Sequence, residues 1–300
     1  MADLLRVVDP TPYGPPRLGL LASIEVIEEA DEDLRTGIKF VPEPCGGEGG
    51  AYDITCGATV DVSGDKSTVP PYEQFSTFGV YEPESCSTFG MAGVNTDQRA
   101  QRAMLLDESK QVEKEFWTGT IAQARDGGAA NSNARWLARQ TAGPQNGATF
   151  PPAVTQLNGG AATIAVRALA DLEQAIAAAR SGGRGMIHCT RVTASYWIRE
   201  QMLYRSGNLL LTHCSDTIVV AGEGYPGSSP AGSGMPSDHN TAWAYATGLI
   251  RARRTPVEVY TPASPELTTS NRRTSIATRT YALEIDPCVY VGINVTNSTS

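Results

Sequence analysis

Residues 95–119 read NTDQRAQRAMLLDESKQVEKEFWTG, and this stretch predicts one long, exposed, amphipathic helix between two β-rich regions. Asn95 and Thr96 are good N-caps, because a side-chain oxygen there can accept from the unpaired amides of the first turn. Gln98 stands three residues after Asn95, as a capping box requires. Asp97 lies at the positive end of the helix dipole. Leu105, Val112 and Phe116 fall at i, i+7 and i+11, one narrow apolar stripe. The other faces are charged, with Lys110, Glu113 and Lys114 together, and Gly119 is a natural stop. At 1.5 Å per residue, a helix of ~22 residues runs roughly 33 Å. So narrow a stripe predicts a helix that lies across a sheet rather than inside a core.

Working outward toward the C-terminus, 120–160 shows no clear pattern. ATIAVRALADLEQAIAAAR (162–180) predicts a helix with Val166, Leu169, Leu172, Ile176 and Ala179 buried, ended by Ser181-Gly182-Gly183. GMIHC (185–189) reads as a buried strand, and Thr190 as the cap of a second helix over 191–205 carrying Val192, Tyr196 and Met202. LLLTH (209–213) and DTIVVAG (216–222) are strands, so this part is a small α/β unit. The run 222–240, rich in Gly, Ser and Pro, is a loop too poor in apolar residues to pack within one subunit. The strands 216–221 and 241–248 are expected to hold its ends close together. TAWAYATGLIRARR resumes as a strand, followed by VEVYTP, SIATRTYALEI and CVYVGINV. Val289, Val291, Ile293 and Val295 alternate, which buries one face.

Toward the N-terminus, 70–86 supplies a strand. Residues 36–68 look like a two-stranded excursion turning at GGEGGAYD. Residues 9–17, DPTPYGPPR, form an extended arm. In 18–34, Leu20, Ile24, Ile27 and Leu34 are spaced for a short acidic helix, with a strand at 24–27 as the competing reading. An arm with so few core residues is expected to fold against something else, another subunit being the foremost choice.

The chain has 300 residues, 41% of them hydrophobic, enough for one large or two modest domains. A net charge of −8 argues against a dedicated nucleic-acid binder, which needs clustered cations. Of 24 cations only Lys39, Lys66, Lys110 and Lys114 are lysine. Arginine suits bidentate, partly buried ion pairs; codon bias would give the same count. MADLLRVVDP does not read as a signal peptide, and the longest charge-free stretch, 140–166, is broken by Gly, Pro, Asn and Gln. Six cysteines without C-x-x-C spacing fit reduced thiols, with a Cys45–Cys56 hairpin bridge as the alternative.

No residue is assigned a catalytic, cofactor-binding or metal-binding role. His188-Cys189 and His213-Cys214 are tempting zinc pairs, but neighbours on a strand point to opposite faces, so each pair offers one ligand. Both histidines are read as sheet packing. Ser237-Asp238-His239 names the residue types of a hydrolase triad, yet contiguous loop residues do not converge as nucleophile, base and orienter. GGEGG (46–50) lacks the Lys-Ser/Thr and following helix of a phosphate loop.

The order of parts resembles the major capsid protein of tailed bacteriophages, the Hong Kong 97-type fold shared with encapsulin shells. In that family the closing strands carry an Asn, an apolar run with an Arg, an aromatic, and then a Pro before a last apolar strand. Here these are Asn271, Ile276-Ala277, Arg279, Tyr281-Ala282-Leu283, Pro287 and Val289-Tyr290-Val291. The resemblance implies an α+β fold: an N-terminal arm (1–35), an extended hairpin loop (36–68), a peripheral domain with the spine helix (69–150), an inserted axial α/β domain (151–249) and C-terminal strands of the peripheral domain (250–300). It implies a self-assembling icosahedral shell without cofactor or catalytic site. Its copies would form pentamers and hexamers around a phage genome held without sequence-specific contacts. Scaffold, portal or decoration proteins are the candidate partners. The location implied is the virion, assembled in the host cytoplasm, with no membrane association. In this family the 222–240 loop would meet its copies around a capsomer axis, and some members crosslink through a Lys, for which Lys39 or Lys66 would serve. A minor head protein, an encapsulin-like compartment, and a cytoplasmic metal-dependent or hydrolytic enzyme stay open as alternatives.

Overall fold

The computed structural model describes residues 17–30, 34, 38–40, 73–75, 77–87, 95–132, 134–142, 153–180, 184–230, 240–262 and 272–297. In chain order these give helix α1 (Leu20–Ser23) and strands β1 (Glu25–Glu28), β2 (Ile38–Phe40), β3 (Glu73–Phe75) and β4 (Phe78–Ser87). Helices α2 (Thr96–Thr118) and α3 (Thr120–Asp126) follow, then β5 (Thr155–Gln156), β6 (Ala162–Ile164) and α4 (Ala165–Arg180). Next come β7 (Met186–Thr190), α5 (Arg191–Arg199), β8 (Leu203–Ser206), β9 (Leu209–Thr212) and β10 (Ile218–Gly222). The chain closes with β11 (Thr241–Thr247), β12 (Ile250–Arg254), β13 (Glu258–Tyr260), β14 (Arg272–Ile285) and β15 (Tyr290–Thr296).

The long helix forms as its sequence requires. The Asn95 side chain accepts from the amides of Asp97 and Gln98. Gly119 ends the helix in the left-handed region at φ 61°, its N–H donating to the Glu115 carbonyl at 2.7 Å. A Cβ at Gly119 would lie 2.2 Å from Trp136 Cδ2, so only glycine fits this break between α2 and α3. The buried stripe is wider than the sequence shows. Val112 and Phe116 are buried as expected, but Leu105 is exposed, and Ala100, Met104 and Trp117 take the inner face.

Among the described residues, two larger sheets flank this helix. The five-stranded sheet runs β1-β12-β14-β13, with β4 on the other side of β14. In β14 the residues Ser275, Ala277, Arg279, Tyr281, Leu283 and Ile285 face inward, the period of two that a half-covered sheet requires. The second sheet runs β5-β15-β11-β7-β10-β9-β8, with β6 also on β15. Its centre is covered on both faces, which is why MIHC is a continuous run rather than an alternation. Ile187, Cys189, Val219, Ala221, Ala244 and Ala246 pack against α4 and α5. Met186, Val220, Trp243 and Tyr245 join the core under α2, which continues into the five-stranded sheet.

Several expectations are corrected. Over 18–30 the structure follows the competing strand reading: α1 is a single turn, and Glu25–Glu28 pair in parallel with β12 of the same chain. Leu20 and Leu34 are fully buried. The described part of the arm therefore folds on its own subunit, and a chain starting at Thr36 would lose an edge strand and core contacts. Helix α4 starts at Ala165 with Val166 exposed, and α5 ends at Arg199 because Leu203 opens a strand. Residues 241–254 are two strands in different sheets. Strands β10 and β11 lie on either side of β7, so they do not hold the ends of 222–240 together as neighbours. The C-terminal block divides: β12 to β14 belong to the five-stranded sheet and β15 to the other. At the base of the excursion β2 pairs with β3. Residues 41–72, with Cys45, Cys56, Lys66 and GGEGG, lie outside the described residues, as does Ser237-Asp238-His239.

The expectation of six reduced cysteines also fails. Cys86, Cys189 and Cys214 are free thiols, but Cys288 is disulfide-bonded. Thiol titration of denatured protein without reductant is expected to count about four thiols per chain rather than six, since one bridge removes two. A count of six would contradict the bridge.

Candidate functional site

The residues that organise this chain are acidic groups along one helix. A sequence of alternating charges on a helix reads as a solvated face, yet Glu108, Glu113 and Glu115 are all buried. Each is spent on a different part of the molecule. Near the N-terminus, Asp97 accepts from the hydroxyls of Ser275 (2.5 Å) and Thr261 (3.0 Å) and faces Arg273. Those hydrogen bonds hold its carboxyl below the usual range. Glu108 accepts from Arg279 Nη1 at 2.8 Å and the Tyr281 hydroxyl at 2.6 Å, with Arg254 Nη1 at 3.5 Å. Glu113 turns to α1 and to the segment after β10. Glu115 accepts from the amides of Ile121 and Ala122, so the long helix caps the helix that follows it. Burial pushes the Glu113 and Glu115 carboxyls up.

At the C-terminal end of α2 an aromatic cluster joins the helix to the eight-stranded sheet. Trp117 is fully buried, its ring centroid 5.0 Å from Tyr225 and 4.9 Å edge-on to Tyr245. Trp117 Nε1 donates to Ser228 Oγ at 3.1 Å, and the Tyr245 hydroxyl donates to the Ser228 carbonyl. The first part of the 222–240 loop therefore packs within its own subunit, against the expectation. Residues 231–239 lie outside the described residues.

His188 is sheet packing, as expected. Its Nε2 lies 3.0 Å from Thr247 Oγ1 and its Nδ1 3.0 Å from the Tyr225 hydroxyl. Because Thr247 donates onward to the Gly248 carbonyl, we assign the proton to Nε2, leaving Nδ1 to accept from Tyr225. Burial lowers the ring to about 3 from 6.5. The unfolded chain therefore binds one more proton between those values, and stability is lost as pH falls through this window. His188→Asn is expected to flatten the stability–pH curve by up to about 1.4 kcal/mol per pH unit there, measured by urea unfolding at stepped pH. Identical slopes for the two proteins would remove His188 from the acid response. Cys189 points to the other face, where burial raises its thiol. His213 is not in a strand: it sits exposed in the turn after β9, its ring 5.0 Å from Tyr204. No group of three His, Cys, Asp or Glu side chains converges on a common point among the described residues.

Arginines do what their dominance over lysine suits. On the outer face Arg253 joins Glu29 to Glu284, and Arg251 joins Glu25 to Glu284. Arg139, fully buried, donates to the carbonyls of Ala129, Ser132, Ala134 and Thr141 and stacks 4.3 Å over Trp136. Burial lowers its pKa to about 10. This hub orders part of 120–160, where no periodicity could reveal it. Among the described residues, part of the sheet face turned away from α2 is exposed: Tyr81 opposes Thr278, Tyr260 opposes Ile276, and the two tyrosines are 67% and 63% exposed. No described helix is long and apolar enough to cross a membrane.

No protein-family model matches the chain. No curated protein matches it in sequence. Solved structures do. The capsid of an empty GTA particle is 12% identical, with a TM-score of 0.50 over 100% of this chain and 98% of that one. The capsid of Ralstonia phage GP4 gives 10% and 0.49 over 99% and 96%, and the holo-SrpI encapsulin complex of Synechococcus elongatus 8% and 0.47 over 97% and 92%. At such identities a likeness speaks for the fold, and the first of these carries the argument. This chain has the α+β fold of the phage-type capsid proteins, along its whole length.

Proposed function

We propose that the chain is a self-assembling shell subunit, the major capsid protein of a tailed phage. The observation that supports this most is the fold likeness to a GTA capsid, which leaves almost none of either chain unmatched. The exposed Tyr81 and Tyr260 fit a protein whose apolar surface is completed by neighbours. On this reading the five-stranded sheet with α2 is the peripheral part and the eight-stranded sheet with α4 and α5 is the inserted axial part. The copies form pentamers and hexamers enclosing a genome without sequence-specific contacts. The acidic balance keeps the shell from gripping DNA tightly. Assembly takes place in the host cytoplasm and the product is the virion, without catalysis. Scaffold, portal and decoration proteins are its expected partners.

Negative-stain imaging of the expressed protein, with nuclease-protected nucleic acid and co-purifying protein measured on the same particles, tests this. Closed shells are the expected result. Particles loaded with a foreign protein instead of DNA would favour an encapsulin-like compartment. A soluble monomer with stoichiometric zinc would favour an enzyme and overturn the proposal.

A further inference from the structure

Three segments far apart in sequence meet at one carboxylate. Glu113 is fully buried. Its Oε1 accepts from the Leu20 amide at 2.8 Å and the Ser109 hydroxyl at 3.3 Å, and its Oε2 from the Gly224 amide at 2.8 Å. Leu20 is the first residue of α1, so its N–H has no partner within that helix. Gly224 follows β10, the strand whose Ala221 amide donates to the Leu18 carbonyl. The site is closely built around the carboxylate. A Cβ on Gly19 would stand 2.6 Å from Glu113 Oε1, and one on Gly224 would stand 2.1 Å from the Lys110 carbonyl oxygen. Among the described residues no cation pairs with Glu113. The neighbouring titratable group is Tyr225, which hydrogen-bonds His188, while the Glu223 side chain reaches out to Arg191.

A carboxylate on a helix face ordinarily stays in water. Taking one out of water without a counter-charge is costly unless hydrogen bonds to the anion compensate. Here the compensation comes from backbone amides on two different segments, Leu20 on one and Glu223 and Gly224 on the other, with the Ser109 hydroxyl beside them. A backbone amide cannot swing to follow a side chain, so both segments must sit at one position relative to α2 for the carboxylate to be satisfied. We propose that Glu113 is a clasp, a positioning residue that fixes the angle between the long helix and the eight-stranded sheet and docks residues 17–24 at their joint. Where the chain assembles, which rests on the shell reading above, this angle sets the curvature of the particle.

The test is residue-resolved amide exchange on the full-length subunit, read at Leu20 and Gly224 against reference amides in β7 and β14. In Glu113→Ala both clasp amides are expected to exchange about tenfold faster or more, with the reference amides unchanged. In Glu113→Gln the single remaining carbonyl oxygen serves one segment, so one amide stays protected and the other is released. Gly224→Ala, should Glu113→Ala fail to fold, is expected to release Gly224 and spare Leu20. Unchanged protection at both amides in Glu113→Ala, or uniform loss across every element in all three variants, would overturn the clasp. Particle diameters are then compared. Broadened diameters with Glu113→Gln support the curvature role, and wild-type diameters despite a released amide refute it. If the wild-type chain forms no particles, the shell reading fails while the exchange result still decides the clasp.

Discussion

Glu108→Leu is expected to lower the unfolding free energy by about 3–5 kcal/mol, the loss typical of removing one partner from a buried ion pair. Glu108 is the carboxylate on which Arg279 and Tyr281 converge, with Arg254 at its other oxygen. Arg279 is 6% exposed, so water cannot replace the lost partner. The Arg279 charge would be left beside the core that holds Ala277 and Leu283, with Glu28, 4.0 Å away and half exposed, as its remaining carboxylate among the described residues. Urea unfolding followed by circular dichroism measures the effect. The double variant Glu108→Leu/Arg279→Met should recover much of the loss, because a well-packed apolar pair commonly replaces a buried ion pair at little cost. A loss below about 1 kcal/mol for the single variant would place this pair with ordinary surface pairs.

Trp117→Ala is expected to cost a similar amount, about 3–5 kcal/mol, the range for emptying a large aromatic site in a core. Trp117 has no solvent exposure, touches the rings of Tyr225 and Tyr245, and holds Ser228 through its indole N–H. Trp117→Phe keeps one ring at the site but loses the hydrogen bond and part of the indole volume, so it should cost less than Ala, about 1–3 kcal/mol. Equal losses for Ala and Phe would show that the hydrogen bond to Ser228, rather than packing, holds the joint.

Local signals in this chain were legible and long-range ones were not. The ends of α2 could be read because Asn95 and Gly119 act on amides within a few residues of themselves. The capped start of α5 at Thr190 is another such case, its side chain accepting from the Thr193 amide. The order of strands in the closing segment was legible for the same reason, since alternation is a local property. The burial of Glu108, Glu113 and Glu115 was not, because each is compensated by groups distant in sequence or outside its own helix. Residues 24–28 fit helical spacing as well as a strand, and the parallel ladder with β12, distant in sequence, selects the strand. The Arg139 hub left no trace in periodicity, since a guanidinium gathering four carbonyls imposes no repeat on the residues it orders. Of the two histidine pairs, alternation settled His188-Cys189, but it was applied to His213, which lies in a turn.

The two-sided burial of β7 has a consequence for how this protein can change over generations. Its sheet separates the layer of α4 and α5, with Leu172 and Trp197, from the layer of α2, with Phe116 and Trp117. Side chains on opposite faces of a sheet do not touch, and substitutions more than ~7–10 Å apart without shared partners act independently. Variants of Leu172 and Phe116 should therefore combine additively, whereas Phe116 and His188, whose rings meet at 5.3 Å, should show epistasis. The chain then carries two nearly separate evolutionary ledgers, and drift on the α4 side can proceed without disturbing the joint at which the long helix meets the sheet.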